Sequence, residues 1–172
     1  MTQTSVEPRV LDLLADILDY PRRHPGEKVE ECASLVSAAT PEAAEHLRRF
    51  QSSVQDLPAG RLEEIYTVTF DLEASCHPYV GYHLFGESYL RSTFLVGLKE
   101  RYREWDFDAG ETELPDRLSV MLRFLAITGD EQQRQEIMSE GLLPALGKMI
   151  KVAEESDKES EEAPDEVPDE EP

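Results

Sequence analysis

The sequence has few cysteines, no long apolar run and no excess of basic residues. Cys32 and Cys76 are the two cysteines in the chain, and they form no CxxC pair. A disulfide scaffold is therefore not expected, and a reducing compartment fits. The amino terminus lacks the basic and apolar regions of a signal peptide. No apolar run approaches the roughly 18 residues that span a bilayer. We expect a soluble, cytoplasmic protein without direct membrane insertion.

Positive charge is scarce. The chain has 17 Lys and Arg residues against 37 Asp and Glu residues, which gives a net charge of −20. About half of this charge lies from Glu154 onward, where Lys158 is the only base. Such a field would repel nucleic acid and anionic membranes, because phosphate binding needs a clustered basic surface. It would attract a basic partner, although solubility alone explains it equally well.

Common catalytic signatures are also absent, including glycine-rich nucleotide loops, GxSxG, HExxH and the EF-hand loop. We therefore expect no enzyme and no cofactor. Cys76, His77 and His83 supply three potential metal ligands at irregular spacing, whereas a structural zinc site uses about four. A Cys–His nucleophilic pair would need adjacent residues to turn toward each other. A small helical metal- or ligand-binding sensor that uses Cys76, His77 and His83 is the alternative function.

Apolar residues recur at helical spacing almost everywhere. Val10, Leu11, Leu14, Ile17 and Leu18 form one such stripe after Pro8. The pattern predicts an all-α, single-domain bundle of about seven or eight helices over residues 1–155. Residues 156–172 contain almost nothing to bury and are expected to be a disordered acidic tail. The predicted helices cover approximately 8–20, 27–38, 41–54, 61–71, 87–105, 115–128, 131–140 and 142–155.

An aromatic-rich stretch lies at the centre of the chain, from Leu62 to Leu125. Leu72 to Gly86 reads as an irregular loop, and Pro115 is predicted to open the next helix. Aromatic side chains beside a flexible loop suit recognition of an amphipathic helical peptide. Nearby carboxylates would suit a peptide that carries arginine. An ordinary aromatic core with an acid-capped helix would give the same pattern. The candidate peptide-binding residues are Tyr66, Phe70, Asp71, Tyr82, His83, Phe85, Gly86, Arg91, Glu113, Leu114, Pro115 and Asp116.

Four segments in this stretch carry a family resemblance. They are LEEIYTVTFDLEA (Leu62 to Ala74), HLFGESYLRS (His83 to Ser92), LKERYREW (Leu98 to Trp105) and ELPDRLSVMLRFLA (Glu113 to Ala126). In this order they resemble the nitrate reductase molybdenum cofactor assembly chaperones, the NarJ branch of the TorD/DmsD redox-enzyme chaperone superfamily. Ser92 stands where that family commonly has Gly, and the CHPYVGYHLF loop differs from those of the enterobacterial members.

The resemblance implies a TorD-like helical chaperone without catalysis. It would bind the N-terminal segment of the apo catalytic subunit of a molybdoenzyme and keep that subunit competent for molybdenum cofactor insertion before membrane attachment or export. Respiratory nitrate reductase alpha subunit is the default client, and selenate, chlorate, perchlorate and dimethyl-sulfide-type enzymes are the alternatives. Molybdenum cofactor delivery proteins are further expected partners. The chain is expected to be a monomer or a helix-swapped dimer. A generic acidic interaction domain with an unrelated partner is a third interpretation.

Overall fold

The computed structural model describes residues 6–72 and 76–162, with side chains as far as residue 155. Within these ranges the chain is helical, and the extended backbone is limited to one isolated bridge between Tyr79 and Arg117. The all-α prediction is therefore confirmed for this part of the chain. The helices are α1 (Pro8–Ile17), α2 (Gly26–Val36), α3 (Pro41–Val54), α4 (Ala59–Tyr66), α5 (Val80–Phe85), α6 (Tyr89–Glu104), α7 (Leu118–Ile127), α8 (Glu131–Glu136) and α9 (Leu143–Glu162).

Two short π-helical segments interrupt the α-helical geometry. Thr67–Leu72 continues α4, and Ile137–Leu142 joins α8 to α9. Such segments insert extra backbone into a helix and recur at functional sites. The sequence predicts one helix from 61 to 71, which matches α4 with its π-helical continuation. The β-branched run around Thr67 therefore does not form a strand.

Helix α7 lies at the centre of the fold. Seven of its ten residues are buried, which gives it no fully exposed face. It packs against α1, whose buried residues Val10, Leu11, Leu13 and Ala15 form a single stripe. Helices α2 and α3 pack against each other, and α2 also contacts α1. On the other side, α5 contacts both α6 and α9.

An aromatic cluster joins α6 to α7. The ring centroids of Tyr102 and Phe124 lie 4.7 Å apart, and Phe107 packs at 5.0 Å from Tyr102. Phe124 is fully buried. Removing a buried phenyl ring costs about 3–5 kcal/mol of folding free energy. The Tyr102 hydroxyl donates a 2.7 Å hydrogen bond to the carbonyl oxygen of Pro115, so this cluster also fixes the chain that enters α7.

Two predictions about the centre of the chain are wrong. Residues Val80–Phe85 form α5, although the whole segment from Leu72 to Gly86 is predicted to be irregular. Helix α7 begins at Leu118 and not at Pro115. Both differences have one physical cause. The backbone of Asp116 accepts from the Val80 N–H at 2.8 Å, and Leu118 donates to the Pro78 carbonyl at 2.8 Å. These nonlocal hydrogen bonds replace the first turn of the predicted helix.

The carboxyl end is described only in part. Helix α9 extends to Glu162, beyond the predicted domain boundary at Glu155. Residues 163–172 lie outside the described residues, as do Glu73 and Ala74 of the first family-like segment. The disordered acidic tail therefore stays a prediction. Within the described part, no helix is both long enough and apolar enough to cross a membrane.

Candidate functional site

Asp116 anchors the start of α5. Its side chain is fully buried, and its Oδ2 accepts hydrogen bonds from the Gly81 N–H at 3.1 Å and from Nε and Nη2 of Arg91, each at 3.2 Å. Its Oδ1 has no hydrogen-bond partner among the described residues. Burial raises the pKa of the Asp116 carboxyl, and the charge and hydrogen bonds of Arg91 act in the opposite direction. We call Arg91, Asp116 and Gly81 the α5 anchor.

Gly81 is required by this close approach. A Cβ atom at this position would meet Oδ2 of Asp116 at 2.8 Å and Cδ1 of Phe94 at 3.0 Å. At the other end of α5, Gly86 has a φ of 62° and ψ of −155°, a conformation that side-chain-bearing residues rarely adopt. The two glycines therefore fix where the short helix begins and ends.

The exposed side of α5 presents Tyr82, His83 and Phe85. Tyr82 packs edge-on against the His77 ring, with centroids 5.4 Å apart. His83 Nε2 makes a hydrogen bond with the His77 carbonyl oxygen at 2.6 Å, and the His83 carbonyl accepts from Nζ of Lys148 at 2.8 Å. Helix α5 is thus held to its preceding loop and to α9, while its aromatic side chains stay partly accessible.

An apolar groove runs between α5, α6 and the second π-helical segment, Ile137–Leu142. We call it the α5–α6 groove; it has a volume of about 220 Å³. Phe85 packs against Phe94 at 5.6 Å and is 36% exposed. A salt bridge of 2.6 Å between Arg101 and Glu136 lies at its rim. The lining residues are Leu84, Phe85, Phe94, Gly97, Leu98, Arg101, Glu136, Ile137, Glu140 and Gly141.

Helix α6, which lines one side of this groove, also exposes large apolar side chains to solvent. Tyr89 is 84% exposed, Leu90 62% and Val96 54%. A concentration of accessible aromatic and aliphatic side chains marks a surface that binds another molecule more often than one that faces only water. Helical spacing places Leu90 on the groove side of α6 with Phe94 and Gly97, whereas Tyr89 and Val96 lie on another side of the helix.

A second, polar cleft of about 450 Å³ lies between the ends of α1 and α4 and the start of α7. Arg117 Nη2 donates to the Tyr66 hydroxyl at 3.0 Å and to Asp19 at 3.1 Å, while its Nη1 donates to Glu113 at 2.8 Å. Burial opposes the charge of Arg117, yet its acidic partners raise its pKa. Burial raises the pKa of Tyr66 as well. Asp71 also lines this cleft.

The structure therefore divides the predicted site residues among three locations. Tyr66, Asp71 and Glu113 line the polar cleft, and Phe70 packs on Tyr66 at a centroid distance of 4.9 Å. Arg91, Pro115 and Asp116 are partly or fully buried at the α5 anchor, whereas Leu114 is exposed. On and beside α5 lie Tyr82, His83, Phe85 and Gly86, of which Phe85 lines the α5–α6 groove.

Several lining residues are missing from the sequence prediction. For Phe94 and Leu98 the sequence predicts only apolar positions in a helix. Nothing in it indicates that they border a groove. Gly97 is a usable signal, because a glycine inside a helix often marks close approach or open space. A Cβ there would meet no atom within 4 Å. The π-helical segment that brings in Ile137 and Glu140 has no recognisable sequence signature.

The metal-site alternative finds no support in the described residues. No group of three or more His, Cys, Asp or Glu side chains among them could hold a metal ion. His77 Nδ1 instead makes a hydrogen bond with the Phe70 carbonyl oxygen at 3.1 Å, and His83 Nε2 is bonded to His77. Cys76 is free and half-buried. These rings therefore connect the end of α4 to α5.

Fold and site together define a helical protein whose described part carries an open, mostly apolar groove. A family model described as "Nitrate reductase delta subunit" matches residues 34–159. The chain therefore belongs to the nitrate reductase delta subunit family. It is 36% identical over 88 residues to the "Probable nitrate reductase molybdenum cofactor assembly chaperone NarJ" of Bacillus subtilis (strain 168), which covers 51% of this chain and 47% of that protein. The match thus spans about half the length of the curated relative.

A solved structure is also similar. It is the crystal structure of a putative redox enzyme maturation protein from Archaeoglobus fulgidus, at 24% sequence identity with a TM-score of 0.48, over 74% of each chain. The resemblance inferred from the central motifs is confirmed by the family match, which includes all four of the quoted segments.

Proposed function

We propose that this chain is a maturation chaperone for a molybdoenzyme of the nitrate reductase type. It binds the N-terminal segment of the apo catalytic subunit and keeps that subunit competent for molybdenum cofactor insertion, before membrane attachment or export. It acts in the cytoplasm by binding and does not catalyse a reaction. Family membership and the printed name of the Bacillus subtilis relative support the class of client.

The observation that carries this proposal is the α5–α6 groove. It is lined by Phe85, Phe94 and Leu98, and the exposed Leu90 lies on the same side of α6 by helical spacing. An amphipathic client helix can bury its apolar side chains there, and each fully buried large side chain contributes about 1.5–3 kcal/mol. Glu140 lies at the rim without an ion-pair partner among the described residues, so it suits a basic residue of the client.

The α5 anchor has a supporting role in this proposal. Arg91 and Asp116 are among the residues predicted from the sequence to contact the client. Asp116 is fully buried, so we propose that the pair positions α5 and does not touch the peptide. Tyr82 and Phe85 remain candidates for direct contact, since both side chains are accessible.

Binding of a synthetic client N-terminal peptide, followed by fluorescence anisotropy, tests the groove. Phe85→Ala should weaken the affinity about tenfold, because it removes a hydrophobic contact of roughly 1.4 kcal/mol or more. Phe50→Ala is the matched control, since Phe50 lies on α3 and is 40% exposed, similar to Phe85. Equal affinities for the Phe85→Ala variant and the wild type would show that the client peptide does not bind in the α5–α6 groove.

A second variant fills the groove instead of emptying it. Gly97→Leu adds a side chain where no atom lies within 4 Å of the new Cβ, so the fold should tolerate it. The added side chain should nevertheless occupy part of the groove and reduce peptide affinity. A folded Gly97→Leu variant that binds as tightly as the wild type would contradict the proposal.

A further inference from the structure

Two helical walls of the α5–α6 groove approach each other at two levels. One wall is α6, and the facing wall is the end of α8 with the second π-helical segment. At one level, Nη2 of Arg101 donates to Oε1 of Glu136 at 2.6 Å. At the other level, a Cβ atom on Gly141 would lie 3.9 Å from Cζ of Phe94. Because residue numbers rise along one wall as they fall along the other, the two walls run antiparallel.

Between these two levels the groove is open. Helical spacing puts Gly97 on the same side of α6 as Phe94 and Arg101. A Cβ atom on Gly97 would meet no atom within 4 Å. The antiparallel order places Glu140 across from Gly97, and within the described part of the chain the Glu140 carboxylate has no ion-pair partner. This level therefore combines space for a side chain with an uncompensated negative charge.

The ion pair between Arg101 and Glu136 is held loosely. One hydrogen bond joins the two side chains, which are 32% and 45% exposed. By comparison, the guanidinium of Arg134 on α8 donates to two backbone carbonyl oxygens and to a carboxylate. An exposed pair of charges contributes little to stability, so it exchanges partners at little cost in free energy. The Glu136 carboxylate is therefore accessible to a second guanidinium.

Glu136 and Glu140 together suit a guanidinium group better than an ammonium group. They lie four residues apart, on adjacent turns of the same wall. A planar guanidinium has five N–H donors and can bridge two carboxylates, whereas an ammonium group is a compact point charge. An arginine that enters over Gly97 can pack its aliphatic stem beside Leu98 while its charged end stays at the rim.

We propose that Arg101 is a built-in competitor for an arginine of the client. In the free protein Arg101 occupies Glu136, and an arginine of the bound client displaces it and binds Glu136 and Glu140 together. A client segment without a basic residue at this position cannot displace Arg101, so the groove discriminates against it. This inference rests on the proposed function, because it concerns how the same groove selects its client.

Fluorescence anisotropy with two versions of one peptide tests the exchange. The peptide is the N-terminal segment of the nitrate reductase alpha subunit from the same source, with its basic positions all arginine or all citrulline, the neutral analogue of arginine. Arg101→Gln should tighten binding of the arginine peptide about three- to fivefold, because Glu136 is then free before the peptide arrives. The affinity for the citrulline peptide should change by less than about twofold.

The matched control is Arg103→Gln. It removes the same charge from the same helix, at an exposed position that does not line the groove. It should change the affinity for either peptide by less than about twofold, since a distant exposed charge is screened by salt. A gain in Arg103→Gln as large as that in Arg101→Gln would overturn the proposal.

A double-variant cycle separates an exchange at Glu136 from a change in overall charge. In a Glu136→Gln background Arg101 has no carboxylate to occupy, so Arg101→Gln should lose most of its gain in affinity. An equal gain in both backgrounds would mean that Arg101 acts only as a nearby positive charge, which contradicts the exchange.

Failure of the exchange can be distinguished from failure of the proposed function. If the arginine peptide does not bind the wild type, or binds it and Phe85→Ala equally well, the groove is not the client site and the exchange is overturned as well. If Phe85→Ala weakens binding but Arg101→Gln binds no more tightly than Arg103→Gln, the groove remains the client site and only the exchange is overturned.

Discussion

At the scale of single residues, the ion pair between Arg91 and Asp116 is the interaction with the clearest energetic consequence. Breaking a buried pair by removing one partner costs about 3–5 kcal/mol, because the remaining charge is left without compensation. Arg91 is 18% exposed and Asp116 is fully buried, so the charge left behind is the buried one. Arg91→Ala should therefore lower the free energy of unfolding by about 3 kcal/mol at neutral pH, measured by urea denaturation.

The pH dependence of this variant gives a second check. A carboxyl whose pKa is raised in the folded state binds protons more readily there, so its contribution to stability falls as pH rises above its ordinary value of 3.8. Without Arg91 this pKa should rise further. The loss of stability in Arg91→Ala should thus shrink as the pH is lowered toward the range in which this carboxyl takes up a proton. Arg103→Ala, an exposed control, should change stability by less than about 0.5 kcal/mol at any pH.

At the scale of helices, two glycines are expected to behave in opposite ways. Gly81→Ala places a Cβ 2.8 Å from Asp116 Oδ2, which forces the α5 anchor apart and should destabilise the protein by about 1–3 kcal/mol. Gly97→Ala adds a methyl group in open space inside α6 and should stabilise it by about 0.5–1 kcal/mol. Thermal unfolding of both variants checks this. Equal shifts in melting temperature would mean that the α5 anchor is not tightly packed.

Helix periodicity also determines how much of the fold can be predicted from the sequence. The stripe of α1 and the Pro41 start of α3 depend on local rules, and both helices are found where these rules predict them. Helix α5 and the late start of α7 depend on one hydrogen bond from Val80 to Asp116, 36 positions away, and on one from Leu118 to Pro78. Local patterns contain no information about that pairing, so the segment between Leu72 and Gly86 reads as a loop.

The candidate site, like the fold, can be predicted from the sequence only in part. The aromatic and acidic residue types, and the family-like motifs, indicate the correct part of the chain. They do not separate side chains that face a groove from those that hold it together, since burial depends on tertiary packing. Asp116 and Phe85 look equally suitable as contacts in the sequence, yet one is fully buried and the other is exposed.

At the scale of the whole molecule, net charge should influence how fast a client arrives. With a net charge of −20, the chain attracts a basic peptide over distances of about a Debye length, which is roughly 10 Å at 0.1 M salt. Stopped-flow measurements should show an association rate that falls steeply between low and physiological salt, with a dissociation rate that changes little. If the dissociation rate depended on salt more strongly than the association rate, the charges would act within the bound complex and not during encounter.

The most direct test of the central claim is hydrogen–deuterium exchange of the full chain with and without the client's N-terminal peptide. Bound peptide should slow exchange in α5 (Val80–Phe85) and along α6 (Tyr89–Glu104). Amides in α2 and α3, none of whose residues lines the α5–α6 groove, should exchange at unchanged rates. Saturating peptide that leaves α5 and α6 unprotected, or that protects only α2 and α3, would contradict the proposed mode of client binding.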